Sequence, residues 1–236
     1  MKSLLVIGMG RFGSHLARKL MDLGNDVMII DRDEKIINGM AASFTDAFVG
    51  DCTNPEVISS LSVKHFDVCF VTIGDNFQSS LEITSLLKEA GAKYIVSKAT
   101  VDMQAKFLRQ IGANEVVYPE HDMAVRLAIK HSARNVFDYI ELGEDYAIYE
   151  IPILTSWQGF SILDLNIRKI YSINIVAIKK SAGVIASPNP DYIFEQGDHI
   201  VVIAKGEYID KITKQIDETK SIYSKKKNKK NSVKKN

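Results

Sequence analysis

The sequence predicts an α/β protein: a doubly wound parallel sheet, then a dimerising helix, then a small α+β domain. Three observations carry this prediction. The apolar run Leu4-Leu5-Val6-Ile7 enters a glycine-rich turn, Gly8-Met9-Gly10-Arg11-Phe12-Gly13, and then a helical pattern. Strand and helix patterns alternate from there to about Val116. From Tyr146 the alternation gives way to closely spaced strand patterns without a second glycine fingerprint. With 236 residues, 46% of them hydrophobic and 25% charged, the chain is long enough for two modest domains.

The first strand is short enough to be buried on both faces, and the helix after it runs from Phe12 to about Asp22. In such a strand-turn-helix unit Gly8 permits the tight turn, Gly10 lets a pyrophosphate approach, and Gly13 lets helix and strand pack closely. Free N–H groups at the helix start then face the phosphates. The second strand, Asp26 to Ile30, ends in Asp31, 18 residues beyond Gly13, with Arg32 beside it. A carboxylate there accepts hydrogen bonds from a ribose diol and repels a 2′-phosphate, which favours ATP, ADP or NAD(H) over NADP(H). The alternative role for Asp31 is a cap for the helix over Glu34 to Ala42.

A strand at Ala47 to Val49 leads into the turn Gly50-Asp51-Cys52-Thr53-Asn54-Pro55, and a fourth strand covers Val68 to Val71. Turns at this carboxyl edge of the sheet lie beside the adenosine, so Asp51, Cys52 and Thr53 are candidate base contacts; helix-start chemistry is the alternative. Gly74 and Asn76 sit at the switch point of the sheet, before a helix over Phe77 to Glu89 that Asn76 is also suited to cap. The fifth strand ends in Val96-Ser97-Lys98, where the lysine either reaches a phosphate or is solvated. Pro119 opens a further helix. Charges every fourth residue across Asp122, Arg126, Lys130, Arg134 and Asp138, among apolar residues as far as Ile140, predict a helix that reaches a second subunit; a helix sandwiched within its own chain is the alternative. Strands are expected at Ala147 to Ile151, Ile173 to Lys179, Gly183 to Ile185 and His199 to Ala204. A helical segment is expected around Ile162 to Tyr171, and a last helix over Tyr208 to Gln215.

The formal charge of +1 conceals an asymmetry. Residues 220–236 hold eight lysines and no acid, so residues 1–219 sum to −7. The lysine-rich end is expected to be a solvated tail. An acidic body without a helix-turn-helix or aromatic RNA-binding signature argues against nucleic acid as a partner. The two cysteines, Cys52 and Cys69, lack disulfide or zinc-site spacing, and no apolar run reaches 18 residues, so a reduced cytosolic setting is expected.

The glycine turn, Asp31 and the Gly50-Asp51-Cys52-Thr53 turn are followed by a small domain containing Asn166-Ile167-Arg168 and Asn174-Ile175-Val176-Ala177-Ile178. Together they resemble the regulatory subunits of Ktr/Trk-type potassium transporters, the RCK (regulator of conductance of potassium) proteins, over about residues 1 to 219. The resemblance implies a Rossmann-like RCK N-terminal domain over 1–118, a crossover helix over 119–134 and an RCK C-terminal domain over 135–219. It implies that ATP and ADP favour different shapes of an octameric ring assembled from homodimers. The ring is cytoplasmic and lies at the inner face of the cell membrane, docked to a separate potassium-conducting subunit. By motif position, Arg11 would meet nucleotide phosphates and Glu120 would help hold Mg2+ or Ca2+ beside them; a guanidinium suits phosphate and a hard cation suits oxygen ligands. The C-terminal domain would bind cyclic di-AMP, with Arg168 on phosphate, Asn174 on the nucleotide, and Ile167, Ile175 and Pro190 against its rings. Such a protein performs no chemistry. The alternative function is an NAD-dependent oxidoreductase, which needs a proton-transfer residue that none of the five histidines supplies in a recognisable loop.

Overall fold

The computed structural model describes residues 1–216 apart from Asp75, Ala133, Arg134 and Glu144. The lysine-rich tail expected over 220–236 lies outside the described residues. The chain divides into two compact units, Met1–Asp122 and a second beginning at Met123.

The first unit alternates strand and helix throughout: β1 (Ser3–Ile7), α1 (Arg11–Asp22), β2 (Asp26–Asp31), α2 (Glu34–Met40), β3 (Asp46–Val49), α3 (Pro55–Ser60), β4 (Val68–Val71), α4 (Phe77–Glu89), β5 (Ile95–Lys98), α5 (Asp102–Ile111) and β6 (Glu115–Val117). The strands form one parallel sheet in the order β3-β2-β1-β4-β5-β6. That order is the doubly wound Rossmann arrangement, with its switch point between β1 and β4. Successive residues of β1 enter opposite cores: Leu5 and Ile7 pack with Ile30, Val71 and Ile83, whereas Leu4 and Val6 pack with Ala17, Val27 and Ile37. Helices on both faces therefore explain why β1 is apolar at every position rather than at alternate ones.

Helix α6 (Pro119–Ser132) begins in the first unit and continues into the second. The charge periodicity predicts a longer helix, and the structure corrects it. The helix ends at Ser132, Asn135 adopts a left-handed backbone (φ 67°), and a strand, β7 (Asp138–Glu141), carries Asp138 and Ile140. Asp138 still meets Arg126, accepting from its Nη2 at 3.0 Å. The spacing marked a true ion pair made across a turn.

The second unit continues with β8 (Tyr146–Pro152), α7 (Ile167–Tyr171), β9 (Asn174–Lys180), β10 (Gly183–Ala186) and β11 (His199–Lys205), then α8 over 206–216. The helical segment expected from Ile162 shortens to α7, with turns over 162–166. Its sheet is antiparallel, in the order β10-β9-β11-β8-β7. Ile151, Ile178, Ile200 and Val202 face a core that includes Trp157 and Phe194. The outer face carries Glu150, whose carboxylate accepts from Lys179 Nζ at 2.8 Å and lies 3.0 Å from His199 Nδ1.

Burial pushes the Glu150 carboxyl upward, but hydrogen bonds from Lys179 and His199 outweigh it and hold the group below its usual value. A carboxyl lowered in the folded state stabilises the fold above its unfolded pKa of about 4.3, and this contribution is lost as pH falls below that value. Urea unfolding from pH 6 to pH 3 is therefore expected to show stability declining below about pH 4.3, less steeply in Glu150→Gln than in the parent. Identical slopes would show that Glu150 has no part in it.

Candidate functional site

At the switch point, residues from four strand ends line a cavity of about 320 Å³. Gly8, with φ +94°, takes the chain from β1 into the turn, and its N–H donates to Ile30 O of β2. Thr72, just past β4, donates from Oγ1 to Gly8 O at 2.6 Å and lies 3.0 Å from Ile7 O, which clamps the turn to the neighbouring strand. Gly13 is fixed by the same contact: a Cβ there would lie 2.0 Å from Gly8 O and 2.4 Å from Thr72 Oγ1. At Gly10 a Cβ would meet no atom beyond its chain neighbours within 4 Å. Packing thus demands glycine at position 13 and leaves position 10 open.

The Asp31 carboxylate holds the turn from the other side. One oxygen accepts from Met9 N at 2.6 Å and the other from Asp33 N at 2.9 Å. Asp33, not Asp31, caps α2 by accepting from Lys35 N. Each Asp31 oxygen retains acceptor capacity beyond its one backbone partner. Gly50 N donates to Asp31 O, bringing the next turn alongside. There Asp51 Oδ1 accepts from both the N–H and the hydroxyl of Thr53, and these bonds hold the Asp51 carboxyl below its ordinary range. The exposed Arg32 adds a smaller electrostatic pull in the same direction.

The structure brings nine of the expected residues to the cavity wall: Gly8, Gly10, Asp31, Arg32, Asp51, Cys52, Thr53, Gly74 and Asn76. The others are placed differently. The Met9 side chain is buried beneath the turn and its amide is committed to Asp31, so it tethers the loop and has no free N–H for phosphate. Gly13 is a packing glycine. Cys52 is 2% exposed, and burial, reinforced by Asp51 and Asp31, pushes its thiol up to about 12. Burial does the same to Cys69. Asn76 caps α4, accepting from Ser79 N at 3.1 Å.

Lys98, expected to reach a phosphate or to be solvated, is 9% exposed and donates to Glu120 Oε1 at 2.6 Å, with its ammonium 5.8 Å from the centre of the Phe12 ring. Gly74 lies beside it, since a Cβ there would come within 3.1 Å of Lys98 Nζ. The bond from Lys98, with a smaller pull from Arg11, holds the Glu120 carboxyl below its usual value. Arg11, Phe12, Lys98 and Glu120 form a charged group outside the cavity wall. Among the described residues no cluster of three His, Cys, Asp or Glu side chains could hold a metal unaided. The sequence reading missed Thr72, Ile36 and Ser79 as parts of the site. A threonine leaving the strand beside the glycine turn was the one available signal for the first.

In the second unit a smaller cavity, about 170 Å³, gathers all five residues expected there: Ile167, Arg168, Asn174, Ile175 and Pro190. Ile162, Ile173 and Pro188 complete its wall. Ile167 is 2% exposed and belongs mainly to the core, so it floors the cavity and offers little surface to a ring.

A 3-2-1-4-5-6 parallel sheet with a glycine turn at its switch point, joined to a small antiparallel domain, defines a Rossmann-type α/β protein with a C-terminal accessory domain. Residues 4–119 match the TrkA-N domain model and residues 147–217 the TrkA-C domain model. The chain belongs to the Ktr/Trk potassium uptake protein family. It is 40% identical over 219 residues to Ktr system potassium uptake protein C of Bacillus subtilis (strain 168), covering 93% of this chain and 99% of that one. It is 36% identical over 202 residues to Ktr system potassium uptake protein A of the same organism, covering 86% and 91%. The fold also matches the solved GsuK channel bound to NAD, with a TM-score of 0.64 at 15% identity over 88% of this chain. This chain spans only 38% of that channel's length. No helix among the described residues is long and apolar enough to cross a membrane.

Proposed function

We propose that this chain is the regulatory subunit of a Ktr/Trk-type potassium uptake system, switched by the adenine nucleotide held at the switch point of its first unit. The near-full-length match to Ktr protein C carries the assignment; the cleft indicates the signal. Gly10, where packing demands no glycine, lies where a pyrophosphate would approach the backbone, and Asp31 keeps acceptor capacity for a ribose diol. The domains divide into a nucleotide domain over 1–118, a crossover helix over 119–134 and a ligand domain over 135–219.

Switching follows from differential affinity: ATP and ADP shift a ring only if each binds one of its shapes better. The third phosphate would be met by Arg11 and by a cation held at Glu120, whose carboxylate Lys98 orients. Mg2+ or Ca2+ there would take one ligand from Glu120 and the rest from phosphate and water, because a hard cation needs about six oxygens. Met123, Val125 and Leu127 of α6 are exposed apolar residues, which supports a second copy of the chain packing on this helix. Dimers of this kind would build the octameric ring, docked at the inner membrane face beneath the potassium-conducting subunit. The second cavity offers a cation, an amide and apolar walls, which suits cyclic di-AMP.

The lining residues count against the oxidoreductase alternative: among the described residues no histidine, lysine or tyrosine lines the cleft, and burial holds the Cys52 thiol protonated. Calorimetry with ATP, ADP and NADH, together with the oligomeric mass, tests the proposal. ATP and ADP are expected to bind more tightly than NADH, and Arg11→Ala to narrow the gap between ATP and ADP. Equal loss of both nucleotides in that variant would remove the sensor role, and turnover of a 2-hydroxy acid or aldehyde with NAD would restore the enzyme.

A further inference from the structure

Helix α7 is a five-residue clip that supplies the second cavity from both ends. Ile167 and Arg168 open it; Ile173, Asn174 and Ile175 follow directly after it. The residues on either side, Asn166 (φ 45°) and Ser172 (φ 56°), are both left-handed, a backbone state that non-glycine residues adopt at a cost. The clip is therefore set off from its neighbours at two sharp corners, and its orientation must be fixed by what it packs on. Both ends of α7 make such contacts: Ile167 is buried in the core, and Tyr171, the last residue, packs on Trp157. Tyr171 accepts a hydrogen bond from the indole nitrogen of Trp157 at 3.3 Å, and the two rings meet edge to face at 5.0 Å between centroids. Trp157 is in turn 1% exposed and packed at 5.7 Å on the ring of Phe194.

We infer that Tyr171 and Trp157 are positioning residues for the second cavity: their contact locks α7, and so aims Arg168 and Asn174 at an anionic, ring-bearing ligand. This rests on the reading of that cavity as a nucleotide site. A buried indole N–H without its acceptor is costly, so the phenol fixes the rotation of α7 as well as packing beside it. Because Trp157 is the sole tryptophan of the chain, it also reports the state of the clip by its emission.

Two measurements separate this inference from the reading beneath it. The first needs no ligand. Hydrogen exchange of the intact protein is expected to show amides 167–175 opening about five-fold faster in Tyr171→Phe, with amides of β8 and β11 unchanged. Unchanged exchange at 167–175 would overturn the clamp. The second uses cyclic di-AMP as probe. In the parent it is expected to shift Trp157 emission on binding. Tyr171→Phe, which keeps the ring and loses only the hydroxyl, should raise Kd about five-fold at 25 °C, where the variant stays folded, and lower the thermal midpoint by about 2–4 °C. Tyr171→Leu should raise it further. Binding with silent emission and equal Kd in all three proteins would overturn the positioning role. If the parent binds no cyclic di-AMP by calorimetry, the assignment of the ligand falls, and the exchange result alone decides the clamp.

Discussion

Gly13→Ala is expected to unfold the glycine turn and abolish nucleotide binding, whereas Gly10→Ala is expected to leave the fold intact and still weaken binding. The two glycines stand three residues apart and differ in what surrounds them. At Gly13 the added methyl would lie 2.0 Å from Gly8 O and 2.4 Å from Thr72 Oγ1, and one of these is backbone that cannot rotate away. Either α1 separates from β1 or the Thr72 clamp opens. Overpacking of this kind costs about 1–3 kcal/mol, occasionally more, and here it falls on the loop that shapes the cavity. At Gly10 the methyl meets no atom beyond its chain neighbours within 4 Å, so apart from the small cost of alanine at the helix start, the loss of affinity in that variant belongs to the ligand. Thermal unfolding and ATP calorimetry on both variants check the contrast. Equal destabilisation by the two substitutions, or full ATP affinity in Gly10→Ala, would contradict the assignment of position 10 to phosphate.

Asp31→Ala is expected to lower affinity for ATP and ADP alike by about 100-fold, because the carboxylate serves two roles at once. It accepts from Met9 N and Asp33 N, leaving two amides without a partner when it is removed. It also presents the remaining acceptor capacity to a ribose diol. Hydrogen bonds to a charged acceptor are worth about 1.5–3 kcal/mol each, and two lost to the ribose alone account for the effect. Asp31→Asn separates the roles: an amide oxygen still accepts one backbone N–H, so stability should recover more than affinity. Calorimetry beside urea unfolding measures both. If affinity recovers fully in Asp31→Asn, the carboxylate charge plays no part in ribose recognition. Unlike Arg11→Ala, this substitution should not narrow the gap between ATP and ADP, since the ribose is common to both.

Most of the first unit was legible in the sequence because its signals are local. A buried parallel strand needs a short apolar run, its turn needs glycine, and its helix starts with Asn or Asp; Asn54, Asn76 and Asp33 all cap the helices they precede. The boundary between α6 and β7 was not legible, because a period of four in charge is shared by a helix face and by an Arg126–Asp138 pair that meets across a turn. Among the described residues the left-handed Asn135 lies between α6 and β7, and asparagine is too common a residue to announce a turn. The Lys98–Glu120 pair was likewise hidden, with Lys98 expected either at a phosphate or in solvent and Glu120 expected beside a cation. Their contact depends on β5 and the start of α6 lying side by side, a tertiary fact without a local signature. Thr72 escaped for a different reason: its partners are backbone carbonyls, and no motif marks a hydroxyl that serves only to close a turn. In the second unit the cavity residues were found, yet the burial of Ile167 was not, since an isoleucine reads the same whether it floors a cavity or lines it.

The two buried thiols have a practical consequence. Cys52 and Cys69 are 2% and 0% exposed, and both are held protonated far above neutral pH. Maleimide chemistry at pH 7 attacks thiolates within reach of solvent, so the native cysteines should stay silent without being replaced. A single cysteine introduced on an exposed face, such as Met103 on α5 at 59% exposure, would then carry a spin or fluorescent label alone. Distances between labelled copies could be followed through a nucleotide titration in an otherwise unaltered sequence.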